Sequence, residues 1–230
     1  MYWWDPTYIL VIIGAVISGI ASMNVNSTFN SYRRMLNRRG LTAQEVAMQI
    51  LHGAGIYDVR IERIRGSLTD HYSPTEKVLR LSDTVYNSQS VAAIGVAAHE
   101  CGHAIQHMIG YAPLKLRSAS VPVANIGSML SWPVIVIGLI LGQTGLARAG
   151  VMLFTFVVIF QLITLPVEFD ASQRAINILG GTQILANDEL RGATKVLKAA
   201  ALTYVAALFS SLLQLLRLVM IVNRSNNRRR

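Results

Sequence analysis

The chain has 230 residues, 52% of them hydrophobic and only 14% charged, with a formal net charge of +9. That length is one domain's worth, and that balance excludes an ordinary water-soluble globule; it is the profile of a membrane protein with a modest polar insert. The basic charge does not indicate nucleic acid, because Arg33, Arg34, Arg38, Arg39, Arg228, Arg229 and Arg230 flank apolar runs and no aromatic residues are interleaved with them for base stacking. The lone cysteine, Cys101, excludes an intrachain disulfide and favours a reducing compartment for the polar part.

The first apolar run covers about residues 3–23. It has no basic start and carries Trp3 and Trp4 at its edge, so it reads as a retained transmembrane helix rather than a signal peptide. A polar region, 24–120, follows. In it "TAQEVAMQILHGAGI" has helical apolar spacing at Val46, Ile50 and Leu51, a Thr42/Glu45 capping box, and Gly53 and Gly55 as stops. "VRIERIRGSLTDHYSPTEKVLRLS" predicts about three short antiparallel strands. "NSQSVAAIGVAAHECGHAIQHMIG" predicts a helix from Ser88 or Ser90 to Gly110.

Apolar runs at about 121–142 and 149–167 enclose the nine-residue polar turn "QTGLARAGV", which predicts a helical hairpin. Residues 168–198 form the second polar region, helical from Glu168 to Leu179, broken at Gly180 and Gly181, and resuming at Asn187. The fourth run, about 199–222, contains Gln214 and Arg217, which are costly in lipid; whether it spans fully is open. Each run is near the roughly 20 residues that cross hydrocarbon. Lys and Arg are dense in 24–120 and present in 168–198, whereas the hairpin turn carries only Arg148. The positive-inside rule therefore puts both polar regions in the cytoplasm. The expected fold is a mainly α membrane protein of α+β type: a single integral-membrane domain over 1–230, with about four transmembrane helices and polar catalytic parts at 24–120 and 168–198.

"AAHECGHAIQH" carries the chemistry. Residues four apart share one helix face, so His99 and His103 can grip one metal ion with imidazole nitrogens. Glu100 stands beside them as the base that takes a proton from a metal-activated water and later delivers it to the leaving amine. This is the H-E-x-x-H pattern of zinc proteases. His107 lies another turn on. Three histidines on successive turns of a straight helix cannot all reach one ion, so His107 is expected to support the site from behind or to face solvent. A catalytic zinc needs a third ligand and an open position. If the apolar hairpin returns the chain to the same membrane side, Glu168 in "LPVEFDASQRA" is the best-placed ligand. Asp170 would face away from it, either pairing with Arg174 or holding a ligand histidine in place.

These two motifs, with "LTDHYSPTEKVLRLSDTVYNSQSV" ahead of the first, resemble the YugP-type neutral zinc metallopeptidases of bacterial membranes, and the resemblance covers nearly the whole chain. A more distant likeness is to the HtpX and CAAX-processing membrane endopeptidases, a gluzincin group. Their second motif reads Glu-x-x-Ala-Asp; here Glu168 and Ala171 match, and Ser172 stands where the aspartate would be. The likeness implies a small zincin-like catalytic domain with a short antiparallel sheet. It also implies that Val78, Leu79, Arg80 and Leu81 form an edge strand to which substrate adds as an extended chain. The expected function is thus an integral-membrane, Zn²⁺-dependent endopeptidase acting on peptides or proteins, membrane proteins included. The expected surroundings are the lipid bilayer, with no nucleic acid; the oligomeric state is open. The competing reading is a non-catalytic membrane quality-control or adaptor protein that keeps the zinc-binding fold. An intact Glu100 weighs against that reading, since a binder needs no base.

Overall fold

A computed structural model describes residues 5–227, with side chains through Arg224. Trp3, Trp4, Arg228, Arg229 and Arg230 lie outside the described residues. The described chain is mainly helical: α1 Tyr8–Tyr32, α2 Ala43–Gly53, β1 Arg60–Ile64, β2 His71–Ser73, β3 Val78–Ser82, α3 Val91–Met108, α4 Ala112–Ile140, α5 Thr144–Gly181 and α6 Asn187–Asn227. Four of these helices, α1, α4, α5 and α6, are long and apolar enough to cross a membrane. On α1, Ile9, Ile12, Ile13, Val16, Ile20 and Met23 are exposed large apolar side chains, a surface that water would penalise and lipid would not. The chain is a multi-pass membrane protein.

Contacts cluster into two compact units. One holds Leu116–Leu165 together with the chain ends, through Ala21 and from Thr203; the other holds Ser22–Lys115 and Pro166–Leu202. In the first unit the turn between α4 and α5 is only residues 141–143, shorter than the nine-residue turn expected, because Thr144–Val151 is already helix. Small residues make the tight hairpin possible. Gly142 takes a φ of +72°. A Cβ on Gly138 would lie 2.4 Å from the backbone nitrogen of Ala147. Arg217 is 5% exposed, and its guanidinium sits 4.2 Å from the centroid of the Tyr8 ring and 5.9 Å from that of Trp132. Its cost in an apolar run is thus offset by two aromatic faces.

The second unit is built around α3. Its apolar side packs on Val46, Ile50 and Leu51 of α2, Leu79 and Leu81 of β3, Leu179 of α5, and Val196 and Leu197 of α6, all in one buried cluster. α2 begins as expected: Thr42 accepts from the Glu45 backbone, and the Glu45 carboxylate accepts from Thr42 in return. The second polar region is not a separate piece. α5 runs through it unbroken to Gly181, and α6 resumes at Asn187.

The sheet corrects two expectations. It is mixed, in the order β1-β3-β2, with β1 parallel and β2 antiparallel to β3. A tight turn with Lys77 at φ +51° folds β3 back on β2. The segment after β1, with Gly66 at φ +116° and Leu68 at φ +56°, carries the chain across to the far side, leaving β1 on the other flank of β3. Val78, Leu79, Arg80 and Leu81 are therefore an inner strand, paired on both sides, and not the edge. The reason is visible in their chemistry: Val78, Leu79 and Leu81 are fully buried, and a strand with both faces covered belongs inside a sheet. The edge beside α3 is β2.

Candidate metal centre

His99, Gly102, His103 and Gln106 recur at three- and four-residue steps and form one stripe of α3. Glu168, Ala171 and Ser172 form the matching stripe of α5. Glycine lets the two meet: a Cβ on Gly102 would come within 2.6 Å of the Ala171 carbonyl oxygen and 3.0 Å of its Cα, both backbone atoms that cannot swing aside. Gly102→Ala is therefore expected to push α3 and α5 apart, destabilising the protein by about 1–3 kcal/mol and weakening zinc binding. Denaturation and metal titration of the purified variant check this.

Across this contact His99, His103 and Glu168 bring one ligand atom each to within 4.8 Å of one another. The Glu168 carboxylate oxygen Oε2 lies 3.2 Å from His99 Nε2 and 3.6 Å from His103 Nε2. The two imidazoles meet edge to face, with centroids 4.7 Å apart. Atoms around a tetrahedral zinc at the usual bond lengths are about 3.3 Å apart, so the spacing suits such an ion. Glu168 is 2% exposed.

The hydrogen-bond network supports the fit. Gln106 donates from Nε2 to the Val167 carbonyl and to Asp170 Oδ2, each at 2.8 Å. Its amide oxygen is thereby turned to His103 Nδ1, at 3.0 Å. That oxygen can only accept, so His103 Nδ1 carries the proton and its Nε2 lone pair faces the lone pairs of Glu168. Acceptor facing acceptor in a buried site calls for a cation between them, a proton or a metal. Burial disfavours the imidazolium of His103, but bonding to Glu168 and the charges of Glu100 and Glu168 outweigh it and raise its pKa above the ordinary histidine value. Three donors of this type and spacing fit Zn²⁺.

Each expected residue has a definite place. His99 Nδ1 is 3.0 Å from the Ser172 hydroxyl. Asp170 faces away from the trio, accepts from Arg174 Nε at 2.6 Å, and reaches His103 only through Gln106. His107 is outside the trio; its Nδ1 pairs with the Tyr72 hydroxyl at 2.8 Å. Glu100 is 8% exposed, and its Oε2 accepts from the Tyr72 backbone N–H at 3.0 Å, which aims it at edge strand β2. Near by, Asp70 accepts from the Ser82 backbone and hydroxyl. Burial raises its pKa, the Ser82 bonds oppose this, and the Glu100 charge adds to it. Val78, Leu79, Arg80 and Leu81 are one strand removed from the edge. Sequence reasoning missed Gln106 and Tyr72. Gln106 was findable, since it stands three residues after His103 on the ligand face; Tyr72 meets α3 only through tertiary packing.

Comparison with known proteins agrees with zinc as the metal. The family described as "Putative neutral zinc metallopeptidase" matches residues 7–223. "Putative membrane protease YugP" from Bacillus subtilis (strain 168) is 47% identical over 215 residues, 93% of this chain and 96% of that protein. No solved structure matches. With the match spanning both histidines, Glu168 and the apolar helices, the chain belongs to this family of neutral zinc metallopeptidases.

Proposed function

We propose that the chain is an integral-membrane endopeptidase in which His99, His103 and Glu168 hold Zn²⁺ and Glu100 is the general base. The observation that carries this is the convergence of the three ligand atoms from α3 and α5 next to an otherwise unexplained buried glutamate. Zinc held there would lower the pKa of a water and polarise the scissile carbonyl. Glu100 accepts the water's proton on its carboxylate and returns it to the leaving amine. Ser172 and Gln106 keep the two imidazoles turned inward. Substrate lies extended along β2, the edge strand that stands beside α3 and Glu100. The substrate is a peptide or protein, membrane proteins included.

Cleavage of casein or a fluorogenic peptide by the purified protein should stop on removal of metal with a chelator and return on adding Zn²⁺. Cleavage indifferent to chelation would overturn the proposal.

The Lys/Arg asymmetry supports a cytoplasmic catalytic region. With cysteines at Arg60→Cys, Arg191→Cys and Thr144→Cys, an impermeant reagent applied to intact cells is expected to label only the last. The reverse pattern would put the catalytic region outside.

A further inference from the structure

A groove of about 450 Å³ lies between the last turns of α1 and the first part of α6, on residues no part of the proposed catalysis uses. One wall is polar: Asn24, Ser27, Thr28 and Ser31 recur at three- and four-residue steps of α1. The other wall carries Lys195 and Lys198. Gly192 lies against Tyr32, which lines the groove. A Cβ there would come within 2.7 Å of the Tyr32 ring, so glycine allows that ring to lie against α6. Lys195 Nζ stands 5.9 Å from the ring centroid. The acids at the start of α6, Asp188 and Glu189, are engaged with Arg38, and neither lysine forms an ion pair among the described residues.

The groove straddles a change of solvent. Asn24 is the first residue after the apolar run of α1, and Ala199 and Leu202, at the same end of the groove, open the apolar run of α6. Two uncompensated cations and a row of hydroxyls stand where each helix leaves its apolar stretch, with an aliphatic exit beside them.

We propose that this groove binds the headgroup of an anionic phospholipid. Lys195 and Lys198 face the phosphate, the α1 hydroxyls donate to it and to the headgroup, and the acyl chains leave past Leu202. The aliphatic end favours a lipid over free phosphate, which gains nothing from it. A zwitterionic headgroup would bring its own cation against the two lysines.

The test uses full-length protein in detergent micelles doped with equal phosphatidylglycerol and phosphatidylcholine, with bound lipid counted by native mass spectrometry. The parent is expected to retain phosphatidylglycerol selectively. Lys195→Gln with Lys198→Gln is expected to lower that retention roughly 25-fold, about fivefold per lysine, while Lys195→Arg with Lys198→Arg keeps it. Zinc content measured in parallel reports that the fold is intact. A control pair, Arg63→Gln with Lys77→Gln, makes the same charge change at two exposed side chains outside the groove and is expected to have little effect. Equal retention in the parent and the Lys195/Lys198 glutamine pair overturns the proposal, as does an equal loss in the control pair. Binding of inorganic phosphate that depends on the two lysines, with lipid retention unchanged, assigns the groove to a soluble anion and also overturns it.

Discussion

Glu168→Ala is expected to strip the protein of zinc and abolish peptide cleavage. The two histidines come from one helix and would face each other in many folds. Glu168 reaches them only because α5 crosses α3 at Gly102. Its carboxylate stands 3.2 and 3.6 Å from the two Nε2 atoms, and without it two imidazoles remain to hold a divalent ion. The loss of zinc affinity should exceed the roughly 10–100-fold expected when a residue supporting a ligand is removed. Gln106→Leu and Ser172→Ala fall in that smaller range, since each removes one bond to a ligand imidazole. Asp170→Ala should act less than Gln106→Leu, because Asp170 touches His103 only through the glutamine. Metal analysis of the purified variants gives the ranking. Full zinc retention in Glu168→Ala, with loss in Asp170→Ala, would mean that the other carboxylate is the ligand.

Glu100→Gln should lower cleavage at least about a hundredfold, the scale of general-base catalysis, with bound zinc retained. The side-chain oxygen of glutamine can still accept from the Tyr72 N–H, so β2 and α3 keep their contact. What disappears is the capacity to take a proton. Separating metal content from turnover in this variant distinguishes a lost base from a damaged site; undiminished turnover would remove Glu100 from the mechanism.

The parts of this architecture legible in sequence are those governed by local rules. Four apolar runs declare four long helices, because bilayer thickness sets their length. Ser90 and Gly110 bracket α3, and Thr42 with Glu45 starts α2, because caps and stops act within a turn of the chain. The grouping of His99 with His103 is likewise local. The sheet order was not legible in the same way. Alternation indicates strands but carries nothing about which strand lies between which, and β1 pairs with β3 only after the chain has crossed over. The contrast of "VLRLS" with "DHYSP" does carry information, since the apolar-rich segment is the buried one. The supporting bonds of Ser172 and Gln106 depend on the α3–α5 contact. Ser172 stands four residues after Glu168 and so shares its face, whereas Asp170, two residues after, does not. That two-residue offset turns Asp170 to Arg174 instead.

Cys101 offers a use beyond its role as packing. It is fully buried on the side of α3 away from the ligands, its sulfur 3.6 Å from the Ala47 carbonyl, and burial, reinforced by the Glu100 charge, pushes its thiol pKa up. A protonated, enclosed thiol is inert to maleimides. The native protein therefore needs no cysteine-free background for labelling experiments. Its single thiol becomes reactive only when α3 parts from α2, so the rate of modification under mild denaturant clocks the opening of the catalytic half, read from the unmodified natural sequence.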